Sequence, residues 1–138
     1  MKKRTILWIG IPLLVLSAFA WAWHLYVKPH QSAAGETPDF TINADSLYSQ
    51  YQTDEHAADL KYLGKVIEVT GRLTEIQHSG STEVWMLSQQ GAGGGINCQL
   101  FAGTKQSQEP KTGDPVTVKG RCTGFLMDVN LVDCVLRK

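Results

Sequence analysis

Residues that carry chemistry are few in this chain, and none of them is grouped. The three cysteines, Cys98, Cys122 and Cys134, have neither the C-x-x-C spacing of a redox motif nor the paired spacing of a zinc ribbon. No two of the histidines His24, His30, His56 and His78 share a face at i+2 or i+4. Asp54, Glu55 and His56 would leave one helix in three directions, so no metal site is expected. The glycine run 91–95 lacks the Gly-Lys-Ser/Thr of a phosphate loop and opens onto a strand, which makes it a hairpin tip. No G-x-S-x-G turn or other spacing ties a nucleophile to a base. No enzyme, no catalytic residue and no cofactor are therefore expected. Charge of one sign is also lacking, with 13 basic residues against 13 acidic. The basic excess of a nucleic-acid binder is absent, and so is any internal repeat.

The longest uncharged stretch does carry a message. Met1-Lys2-Lys3-Arg4 is followed by a run without charge from Thr5 to Val27. At helical rise that run spans roughly 35 Å, enough for the ~30 Å hydrocarbon core of a bilayer. Basic residues before it and Trp21, Trp23 and Tyr26 at its far end place the start inside and the rest outside the cytoplasm. Residues 1–4 are thus expected to be a cytoplasmic end and 5–27 a transmembrane signal anchor. The competing reading is a cleaved signal peptide with Ala18-Phe19-Ala20 as its processing site. The apolar run continues through Trp21-Ala22-Trp23, which favours retention, and both readings give the same periplasmic or extracellular compartment. No cysteine lies near the segment, which excludes a lipid-modified N-terminus. With Lys2, Lys3 and Arg4 inside, the exported part is slightly acidic.

Residues 28–38, with Pro29, Gly35 and Pro38, read as a polar tether. Residues 39–138 then make one extracytoplasmic domain with a single core. Asn43 can cap a helix in which Ala44, Leu47, Tyr48 and Tyr51 fall on one face, continuing to Leu63 and ending at Gly64. Beyond Gly64 the period changes to two. Lys65 to Ile76 forms a long strand with Gly71 inside it and Ile76 on the other parity, so a bend or bulge is expected. Further strands follow at Glu83 to Ser88, Ile96 to Phe101, from Gly113-Asp114 onward, and from about Asp128 to Leu136. Five strands with a long, bent first one and a longer connection between the third and fourth are the plan of the OB-fold, a small Greek-key barrel. The expected class is all-β with one N-terminal helix, behind a transmembrane segment.

The runs Asp54-Glu55-His56-Ala57-Ala58, Tyr62 to Gly71, and Gly113-Asp114 through Val116 to Gly124, Asp128-Val129 and Cys134 resemble the tRNA_anti-like family of small exported bacterial proteins. The resemblance covers about Ala44 to Lys138. It implies the fold of the anticodon-binding OB domains of aminoacyl-tRNA synthetases; it implies neither tRNA binding nor any other activity.

In an oxidising compartment at least one disulfide is expected. Cys122 and Cys134 lie on consecutive strands and are the first choice, pairings with Cys98 and three free thiols being the alternatives. Cys98 alternates with Ile96 and Leu100 and reads by default as a small buried hydrophobe. Ligands of OB-folds usually sit on strands two and three. If Val84 and Met86 point inward, Trp85 joins Asn97, Gln99 and Phe101 on the outside, giving two aromatics interleaved with two amides. In the opposite register Trp85 fills the barrel. The function expected is a membrane-anchored binding module for an envelope protein, a glycan or a small ligand. Two alternatives stand beside it. One is a cofactor carrier like the haem chaperone of cytochrome c maturation, whose haem-binding His has no counterpart after His78. The other is a nucleic-acid-binding OB domain, disfavoured by compartment and charge.

Overall fold

The computed structural model describes residues 14–23, 33–88, 93–102 and 109–137. The chain divides into two compact units, Met1–His30 and Gln31–Lys138. In the first, residues 14–23 are helical (α1). No helix among the described residues is long and apolar enough to cross a membrane. The spanning helix expected over 5–27 therefore has no support here; the remainder of that segment, like the basic end 1–4, lies outside the described residues.

The second unit is a closed barrel. After a 3-10 turn at Ala33–Gly35 come β1 (Phe40–Asn43), α2 (Ala44–Thr53), α3 (Glu55–Tyr62), β2 (Val66–Ser79), β3 (Thr82–Leu87), β4 (Ile96–Leu100), β5 (Pro115–Phe125) and β6 (Val129–Arg137). The sheet order is β1-β2-β3-β4-β6-β5, and β5 pairs back onto β2. Strands β2 to β6 thus form the five-stranded OB-type barrel, with β4 and β6 as its parallel pair. Closure is possible because β2 is long enough to serve two neighbours. Its first half, Val66 to Arg72, pairs with β5, and its second half, Leu73 to Ser79, pairs with β3. The expected irregularity lies between Leu73 and Glu75, where the register against β3 slips and Ile76 changes parity. Gly71 itself lies at a close approach: a Cβ there would be 2.8 Å from Ala44 Cβ and 3.3 Å from Leu87 Cβ.

Three features depart from the sequence reading. The single helix expected from Asn43 to Leu63 is two helices, because Asp54 has extended backbone and its side chain accepts from Ala57 N–H at 3.0 Å, starting a new helix. A sixth strand, β1, lies parallel to β2; four residues were too short to show a period. The tether expected over 28–38 is no free linker from Ala33 onward, residues 28–32 lying outside the described ones. Ala33 is buried, and the Lys119 ammonium donates to the carbonyls of Ala34 at 3.0 Å and Glu36 at 2.6 Å. Arg121 closes an ion pair with Glu36 at 2.6 Å. Lys119 is only 2% exposed, so these carbonyls replace the water that a buried ammonium requires.

The interior joins both layers. Leu47, Tyr51, Ala58 and Tyr62 from the helices meet Ile67, Val69, Leu73, Trp85, Ile96 and Leu131 from the barrel in one cluster. Tyr51 stacks on Phe125 with ring centroids 5.5 Å apart, and Phe40 meets Tyr62 edge to face at 5.1 Å.

Candidate functional site

Inside and outside positions along β3 are set by its neighbours. Trp85 pairs with Cys98 and Leu87 with Ile96, and all four side chains are fully buried. Of the two registers open for strand two, the structure has the one in which Trp85 fills the barrel and Val84 and Met86 point outward. The physical reason is area, since an indole buried in the barrel removes more apolar surface from water than a valine would. Its N–H keeps a partner, Glu83 Oε1 at 2.7 Å. Trp85 is therefore removed from the candidate site.

Asn97 and Gln99 do lie on the outer face of β4, as expected, and Phe101 follows the strand with its backbone N–H bonded to Cys134 O at 2.9 Å. The four residues expected to form one surface are not brought together. Asn97 is instead opposite Met86 on one side and Asn130 on the other, its amide reaching Asn130 Oδ1 at 3.4 Å.

From Gln99 a groove of about 580 Å³ runs across Asn130 and Val132 of β6 to Thr123 and Phe125 of β5, and on to Asp59 and Leu63 beside α3. It lies one strand along from the β3–β4 face. Beside the groove's amides Asn97 Oδ1 is buried without a partner among the described residues, while the Asp59 carboxylate that lines the groove interacts with the Tyr51 hydroxyl. The rim is apolar: Leu63 is 50%, Leu126 87% and Met127 80% exposed. Among the described residues no Lys or Arg lines the groove. Sequence reasoning missed Asp59, Thr123, Phe125 and Asn130. A usable signal was the pair Leu126-Met127 in a turn, where polar residues are the norm.

Behind the groove Tyr51 Oη and Cys122 Sγ are 3.3 Å apart, both buried. Burial first, then the contact with Cys122, pushes the Tyr51 phenol far above its ordinary range. Burial likewise pushes the Cys122 thiol up, although its bond to Tyr51 works the other way. A thiol held protonated is a packing group, not a nucleophile. The bridge expected between Cys122 and Cys134 is not what the strands bring together. Cys122 faces Tyr51, Cys134 contacts Cys98, and all three are free and buried. Among the described residues no group of three or more His, Cys, Asp or Glu could hold a metal ion. The glycine run ends in a fixed position, Gly95 N–H donating to the Asp128 carboxylate at 2.7 Å.

A five-stranded OB-type barrel carrying an outer groove is the architecture of a binding domain. The chain belongs to the tRNA_anti-like family, which matches residues 1–136. No curated protein matches it. Among solved structures it is similar to a "putative nucleic acid-binding lipoprotein" from Klebsiella pneumoniae, at 15% identity and a TM-score of 0.58, covering 80% of this chain and 100% of that one. That likeness concerns the fold.

Proposed function

We propose that this protein is an extracytoplasmic, membrane-tethered binding module without catalytic activity, and that its groove holds an uncharged, hydroxyl-bearing ligand such as a glycan. The observation that carries the reading is the lining itself. Amides of Gln99 and Asn130, the Thr123 hydroxyl and the Asp59 carboxylate line it together with Phe125, Leu63 and Val132, and no cation is among them. The Phe125 ring offers an apolar face of the kind that sugar rings pack on. The uncharged run after Met1-Lys2-Lys3-Arg4 supports the tether and the compartment.

The likeness to the Klebsiella lipoprotein supplies the competing ligand, nucleic acid. A phosphate backbone wants Lys and Arg along its path, and among the described residues none lines this groove. Titration of the full chain with envelope oligosaccharides and with a single-stranded oligonucleotide, followed by amide chemical shifts, decides between them. The oligosaccharide is expected to move the Gln99, Thr123 and Asn130 signals at any salt concentration, and Phe125→Ala to weaken it about tenfold, the equivalent of about 1.4 kcal/mol. Oligonucleotide binding on this face that fades with added salt would replace the proposal with a nucleic-acid module.

A further inference from the structure

Cys134 owes its place to a fault in β6. Strict alternation from buried Leu131 would turn Val132 out, Asp133 in and Cys134 out. Instead the register against β4 slips: Cys98 pairs with Leu131 but Leu100 with Cys134, so three steps along β6 match two along β4. The register against β5 slips beside it, between Lys119 and Arg121. Asp133 absorbs the extra residue with a φ of 54°, and it is the one non-glycine residue with positive φ among the described residues. A bulge of this kind re-aims the side chain that follows it.

The re-aimed Cys134 enters the barrel wall beside Cys98. Both are 0% exposed, they lie on adjacent paired strands, and the two thiols interact. Space for the second sulfur comes from β5, where a Cβ on Gly120 would collide with Cys134 Sγ and lie 3.1 Å from Val132 O. A bulge, a left-handed aspartate and a glycine thus converge on one sulfur position.

We propose that Cys98 and Cys134 close a disulfide that cross-links β4 to β6, leaving Cys122 as the free thiol. β4 and β6 are the parallel pair of the barrel and are separated along the chain by β5, so the link fastens a non-local contact of the fold. The thiolate of one cysteine attacks the disulfide of a donor, either a thiol–disulfide oxidoreductase or oxidised glutathione. The thiolate of the other then displaces the donor sulfur from the mixed disulfide. Two electrons pass from the cysteine sulfurs to the donor, whose sulfurs leave as thiols carrying the two protons. In the closed barrel neither sulfur is reachable, and the Cys134 thiol is pushed up by its interaction with Cys98 and by burial. Oxidation therefore belongs to folding, before β6 docks. Cys122 does not compete, because it stands opposite Leu131 with its sulfur on Tyr51.

The test supplies its own oxidant and so does not depend on the compartment or the ligand. The full chain is refolded with oxidised and reduced glutathione, alkylated without reduction, and mapped by mass spectrometry. The expected product is a peptide pair joined through Cys98 and Cys134, with Cys122 alkylated. Reduction is expected to lower the melting temperature by about 10 °C or more. Cys122→Ser should keep the link, and Cys98→Ser should leave two free thiols. A bridge that includes Cys122, or three alkylated cysteines after oxidative refolding, would overturn the proposal. If Cys98→Ser fails to fold, the mapping of the natural chain and of Cys122→Ser still decides which sulfurs are joined.

Discussion

Tyr51 is the residue on which helix and barrel meet: its ring stacks on Phe125 and its hydroxyl meets Cys122. Both acids are held protonated in the folded state by burial, whereas the unfolded chain releases these protons near the ordinary values, about 8.5 for a thiol and 10 for a phenol. The folded state then binds more protons than the unfolded one, so stability is full below those values and falls as pH rises through them. Urea midpoints measured from neutral to strongly alkaline pH should decline above about pH 9. Tyr51→Phe should cost about 1 kcal/mol at neutral pH, the value of one hydrogen bond, and should flatten the decline above about pH 10. Equal slopes in the two proteins would show that the phenol contributes nothing. At this scale the sequence was a mixed guide. The helical face of Ala44, Leu47, Tyr48 and Tyr51 was legible and all four are buried. The direction of Trp85 was not, because alternation in a short strand fixes which residues share a face but not which face is inside.

Among the elements, β2 carries the most information. A strand that serves β5 with one half and β3 with the other must turn between them, and the slip at Leu73/Glu75 is where it does so. Gly71 precedes the slip and lets Ala44 of α2 come against the strand. Gly71→Val should therefore destabilise the domain by about 1–3 kcal/mol through overpacking, despite the better strand propensity of valine. A melting temperature left unchanged or raised in that variant would remove the close approach from the explanation. The glycine was visible in the sequence as an interruption of a strand; its reason was not, since Ala44 lies far away along the chain. The same holds for the segment after Ala33, whose polar composition reads as a linker. Its attachment depends on Lys119 and Arg121 reaching its carbonyls and Glu36, contacts between residues more than eighty apart.

For the whole molecule, the proposed orientation rests on charge placed before the apolar run. An alkaline-phosphatase reporter fused after Lys138, which needs export, should be active. Activity of a cytoplasmic reporter at the same position would reverse the orientation and remove the extracytoplasmic part of the proposal. What the sequence by itself determined is whatever rests on local period and composition: strands β2 to β6, the amphipathic face of α2, and hence the barrel class. Each of these is decided within a window of ten or so residues, where backbone geometry imposes a period of 2 or 3.6. Only the tertiary structure decided which face of β3 is buried, that Cys134 meets Cys98 and not Cys122, and that Asp59, Gln99, Phe125 and Asn130 line one groove. Those outcomes depend on register between strands distant in sequence and on a bulge at Asp133 that shifts it. A one-residue slip changes the face of every side chain beyond it while leaving the local pattern of the sequence intact.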